Sequence, residues 1–104
     1  MKNKKQLHTS PMEYRVRYFI DESEIEEISY YSVFHSSEAL DFLAHTFSRG
    51  HIQGDVLHIS HVEEYDRFRN SWGDRTSYAQ EYAVSDKIIS DDSGIVITSN
   101  VTQD

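Results

Sequence analysis

Cysteine is absent from the 104-residue chain, so no disulfide framework, thiolate zinc site or thiol nucleophile can be built from it. Long hydrophobic runs are absent too. None approaches the ~20 apolar residues that span a bilayer, and the basic start MKNKKQLHTSPMEYRVRY is not followed by the apolar stretch of a signal peptide. The expectation is a cytoplasmic protein with no membrane partner. Proline occurs once, as Pro11, and glycine four times, at Gly50, Gly54, Gly73 and Gly94. All four glycines fall where apolar periodicity stops, as turns require, and nothing reads as a linker, a repeat or a second domain.

Positive charge is also scarce. Ten Lys and Arg face eighteen Asp and Glu, a formal net charge of -8. Lys2, Lys4 and Lys5 sit in an acid-free arm over residues 1–11, which leaves a body of residues 12–104 near -11. The arm is expected to be flexible and the body to be a single domain. Such a body repels phosphates and favours basic partners through a field that salt screens. With 38% hydrophobic and 12% aromatic residues, the chain has enough apolar surface to fold around one modest core.

Periodicity gives the elements. From Met12 to Ile20 the residues Met12, Tyr14, Val16, Tyr18 and Ile20 alternate with Glu13, Arg15, Arg17 and Phe19, the pattern of a strand with one buried face. ISYYSVFH, Ile28 to His35, is apolar on both faces and reads as a more central strand. SSEALDFLAHTFSRG then changes period and predicts a helix over about Ser37–Ser48, capped by Ser36 or Ser37, with Leu40, Leu43, Ala44 and Phe47 as its apolar stripe and Gly50 at its end.

Val56 to Tyr65 alternates again, with Leu57, Ile59 and His61 on one face and His58, Ser60 and Glu64 on the other. RTSYAQEYAV reads as a fourth strand reached through the connection DRFRNSWGD, and KIISDDSGIVITSN as a small hairpin turning at Asp91–Gly94. The expected fold is α+β: a small antiparallel or mixed sheet of five to six strands, order ββαβββ, with one helix packed on one face. The second strand, helix and third strand would form a right-handed crossover if those strands pair in parallel or flank a common neighbour, and periodicity alone does not give the order within the sheet.

The motifs that carry chemistry are missing. DESEIEEISYYS places Glu26 where a calcium loop of the EF-hand type needs glycine. His35, His45, His51, His58 and His61 crowd together without HExxH, and His58 and His61 are expected on opposite strand faces. No serine sits in GxSxG, and neither GxxxxGK[ST] nor GxGxxG occurs. Glu63 and Glu64, adjacent on a strand, make a poor acid–base dyad. The reading is therefore non-enzymatic, with no cofactor and no metal; a small hydrolase or metal protein is the least favoured alternative.

Two stretches are candidates for partner binding. The acidic run Asp21, Glu22, Glu24, Glu26 and Glu27 joins the first two strands and is either a solvated hairpin connection or a surface for a basic protein. Arg67, Phe68, Arg69, Trp72 and Arg75 mix arginine with aromatics, the composition enriched at interface hot spots and also able to stack the bases of single-stranded nucleic acid. A nucleic-acid mimic is disfavoured because the chain routing puts the acidic clusters at opposite ends of the sheet. The expectation is a binding or regulatory domain for a protein with a basic surface, of the size and charge of phage or mobile-element inhibitors of nucleic-acid-processing systems. A nucleic-acid-binding module is the alternative, and a homodimer is left open.

Overall fold

A computed structural model describes residues 7–99. Several of the expected elements form where the sequence puts them. Strand β1 is Met12–Ile20, and its even residues Tyr14, Val16 and Tyr18 are buried because one face of the pleat meets the core. Helix α1 is Ser36–Ser48 and buries Leu40, Leu43, Ala44 and Phe47. Its N-cap is His35, however, not a serine: His35 is extended, and its Nδ1 accepts from the Ser37 backbone N–H at 3.0 Å. The imidazole thus does what a serine hydroxyl does at most N-termini. At the other end Gly50, at φ 81°, donates to the Phe47 carbonyl while His51 donates to that of Thr46, a left-handed closure that satisfies two otherwise orphaned acceptors.

The remaining strands are β2 (Glu26–Val33), β3 (Val56–Asp66), β4 (Ser71–Asp74), β5 (Ile88–Asp91) and β6 (Gly94–Thr98). They form a six-stranded, wholly antiparallel sheet in the order β2-β1-β3-β6-β5, with β4 added to β3. The β5–β6 hairpin turns at Asp91–Gly94 as expected. Strands β2 and β3 flank β1, so the connection through α1 joins two strands across a common neighbour. The fold is α+β.

Four details depart from the sequence reading. Strand β2 is apolar on both faces yet lies at the sheet edge; composition reports burial only when something covers the strand, and here Ile28, Tyr30 and Phe34 are exposed. The expected fourth strand is instead a short helix, α2, Thr76–Tyr82. Its Tyr78 and Tyr82, four apart, satisfy a strand parity and a helical face equally, and Ala79 is the side chain that turns inward and is fully buried. The expected connection before it contains β4, whose Trp72 pairs with Tyr65.

The fourth departure is a bulge. The register between β1 and β3 steps from Arg17↔His61 to Tyr18↔Ile59, leaving Ser60 as the additional residue. Alternation therefore changes phase within β3. Leu57 faces the core before the bulge, and Val62 and Glu64 face it afterwards. His58 and His61, paired with Phe19 and Arg17 respectively, share the outer face rather than opposing each other.

The core is built from the inner faces of β1, β3 and β6, closed by α1, with Ala79 of α2 completing it. Helix α2 is tied to α1 by Asp41, whose carboxylate accepts the backbone N–H groups of Val84 and Ser85 just beyond α2. Of the expected arm, Met1–Gln6 lie outside the described residues. His8 donates its backbone N–H to the Phe34 carbonyl at 3.2 Å. The sheet face opposite α1 carries no helix among the described residues, nor is any described helix long and apolar enough to cross a membrane.

Candidate functional site

The helix-free face is crossed by one connected set of side chains. Arg17 Nε donates to Glu26 at 3.1 Å and its Nη1 to Glu63 at 3.3 Å. Arg15 Nε donates to the same Glu63 at 2.6 Å, and its guanidinium lies 4.3 Å from the Trp72 ring centre. Trp72 in turn tilts against Tyr65 and Tyr30, at centroid distances of 5.2 and 6.2 Å. The register explains the assembly: Arg15 stands opposite both Tyr30 and Glu63, Arg17 opposite Ile28 and His61, and Tyr65 opposite Trp72. Cross-strand partners share a face.

The charges on this face are thus largely consumed internally. Two guanidinium groups are matched by two carboxylates, and Trp72 is held by a cation–π contact. Around Trp72 much of what is left toward solvent is ring surface, with Tyr30 63% exposed.

Beyond Trp72 the β3–β4 connection projects Arg67, Phe68 and Arg69. Phe68 is fully exposed. The tip is nevertheless shaped: Asp66 Oδ1 accepts the backbone N–H groups of Phe68 and Arg69 at 2.9 and 3.2 Å, Asn70 adopts φ 53°, and Tyr65 donates its hydroxyl to the Asn70 side chain. An aspartate that caps its own turn together with a left-handed asparagine is a standard way to close a tight loop. It presents Phe68 at small ordering cost.

The acidic run divides by role. Asp21, at φ 51°, accepts the backbone N–H groups of Asp55 and Val56 at 2.8 and 2.9 Å and so ties the β1–β2 turn to the start of β3. Glu26 is taken by Arg17. Glu22, Glu24 and Glu27 are exposed. The run lies at the β3-start end of the sheet, and the Phe68 tip lies at the β3-finish end, so the two expected binding stretches are separated by the length of the ladder.

Arg75 turns away from the other hairpin residues. Its Nη2 pairs with Glu64 at 3.1 Å, and Glu64 also takes the Tyr14 hydroxyl and His8 Nε2, each at 2.8 Å. A buried carboxylate with three donors is a satisfied structural group. Burial first, and then the bond to Glu64, push the Tyr14 phenol well above its usual range.

The remaining polar constellations do similar local work. Thr76 donates to Asp74 at 2.6 Å and accepts from the Val62 N–H, while His61 Nδ1 lies 3.4 Å from Asp74. Partial burial pushes the Asp74 carboxyl up, but the hydrogen bonds from Thr76 and His61 outweigh it and hold it below the usual carboxylate range. Here aspartate, not histidine, is the bridging group, the wrong order for activating a hydroxyl. His35 Nδ1 lies 2.9 Å from the Ser37 hydroxyl, and Ser37 is fully buried. Among the described residues no three His, Asp or Glu side chains are placed to hold a metal ion.

Composition pointed to Trp72 and Phe68. It did not reveal Arg15, Tyr30 or Tyr65 as companions of Trp72, because those contacts come from strands distant in sequence. No protein-family model, curated protein or solved structure matches the chain.

Proposed function

We propose that the protein is a non-enzymatic binding or regulatory domain that docks a protein partner, with the acidic run steering a basic surface of that partner and the Phe68 tip and the adjoining Trp72 face making the contact. The observation that carries this reading is the fully exposed Phe68 between Arg67 and Arg69 on an internally hydrogen-bonded turn. Singly exposed apolar residues are common. An aromatic held out by a preorganised turn, next to a rigid Arg–Trp–Tyr cluster, has the composition of an interface anchor and loses little freedom on binding. The acidity of the body supports steering of a basic partner, and inhibition of a nucleic-acid-processing protein is one role of that kind.

The test uses the full chain and its Phe68→Ala variant as parallel baits in the native cell. A partner is identified by mass spectrometry, then purified and titrated. Retention by the parent and at least about tenfold weaker binding by the variant, with an unchanged melting temperature, supports the reading. Equal binding of both baits, or salt-dependent binding of a single-stranded oligonucleotide in place of any protein, overturns it.

A further inference from the structure

The edge strand β2 poses a separate question. It runs for eight residues along β1 without a register shift, and Ile28, Tyr30, Tyr31 and Val33 make it apolar on both faces. Natural edge strands are protected by lysine, proline, bulges or short length. β2 has none of these, and its only charges are Glu26 and Glu27 at its start.

The helix beside it extends past the sheet. Phe42 of α1 is 52% exposed and stacks on Tyr31 with centroids 6.3 Å apart. With Val33 and Phe34 it lines an open groove of about 670 Å³. The ionisable groups of that groove are Glu38, Asp41 and His45, with no Lys or Arg among them. Glu38 and Asp41 each accept backbone N–H groups.

We propose that the β2 edge and this groove form a strand-addition site for an extended basic segment of a partner protein. An added strand would hydrogen-bond to the side of β2 that no described strand pairs and lay alternate Lys or Arg side chains over the groove, their stems on Phe42 and Val33 and their charges toward Glu38 and Asp41, the mode in which backbone pairing supplies affinity and pockets supply selectivity. The strand's other residues would point to the opposite face, beside the exposed Ile28 and Tyr30. A second copy of the chain is disfavoured as occupant, because each copy carries a net charge of -8 and like charge opposes association. One end of the edge is already bounded, since His8 takes the Phe34 carbonyl. The site is distinct from the Phe68 tip and stands or falls apart from it.

The experiment is amide exchange and titration of the full chain with three capped ten-residue peptides. One alternates Lys and Val, one alternates Glu and Val, and one is the Lys–Val peptide N-methylated along both edges. The assignment expects the Lys–Val peptide alone to slow exchange in β2 by about tenfold or more. It expects Phe42→Ala to weaken that binding about tenfold at an unchanged melting temperature, and Phe68→Ala to leave it unchanged. Absence of binding, equal binding of the Glu–Val or methylated peptide, or protection outside β2 overturns it. So does a concentration-dependent dimer that protects β2 without peptide, which would assign the edge to a second copy.

Discussion

The guanidinium of Arg15 lies 4.3 Å from the centre of the Trp72 ring while its Nε is held by Glu63. One arginine thus joins an ion pair to an aromatic cluster on a face that no described helix covers. A double-mutant cycle with Arg15→Met and Trp72→Leu, read by urea unfolding, should return a coupling of about 0.5–1 kcal/mol. Additive effects would mean that the two side chains are neighbours without mutual stabilisation.

Asp21 and its acidic neighbours should separate cleanly. Asp21→Ala removes the acceptor of two backbone N–H groups and should lower stability by about 1–3 kcal/mol. Glu22→Gln, Glu24→Gln and Glu27→Gln together should stay within about 0.5 kcal/mol but slow association with a basic partner at low salt. Glu26 is left out of that set because its loss would take one of Arg17's two carboxylates. Thermal unfolding and stopped-flow association read the two effects independently.

Gly54 is the glycine with least room. At φ 153°, a Cβ there would come within 2.5 Å of Ile20 Cγ2, beside the turn that Asp21 secures. Gly54→Ala should cost about 1–3 kcal/mol, seen as an earlier midpoint in denaturant. An unchanged midpoint would show that the β1 end shifts freely.

High pH should unfold the protein through its buried phenols. Burial and the Glu64 bond raise Tyr14, and burial pushes Tyr31 up to about 12. The folded state therefore holds protons that the unfolded chain releases from about pH 10. Stability from this source is complete below that pH and is lost as pH rises through the folded values, because fewer protons are bound in the unfolded state. Tyr14→Phe should flatten the fall in unfolding free energy above pH 10; an unaltered slope would place the titration elsewhere.

The legible parts of the fold were those whose signals are local. Strand β1 declared itself by strict alternation, α1 by its stripe and its Arg49–Gly50 end, and the β5–β6 hairpin by turn chemistry. What the chain did not disclose depends on contacts between distant segments. Ile28–Val33 looks the same whether a neighbouring strand covers it or not, and Tyr78 with Tyr82 suits either period. The candidate site was legible in the same proportion. Phe68 and Trp72 stood out as residues, whereas the Arg15, Tyr30 and Glu63 that organise Trp72 became partners only through the register of β1, β2 and β3.

That register makes Ser60 the slack in the strand. Deleting it would close the bulge and leave Ile59 opposite Tyr18 and His61 opposite Arg17 as consecutive pairs, with every side chain from His61 to Asp66 on its present face. Removing Ser60 and His61 together would have no spare residue to absorb it: Glu63 would head for the core and Glu64 would desert Tyr14, His8 and Arg75. The single deletion should therefore keep the cooperative unfolding transition that the double deletion loses.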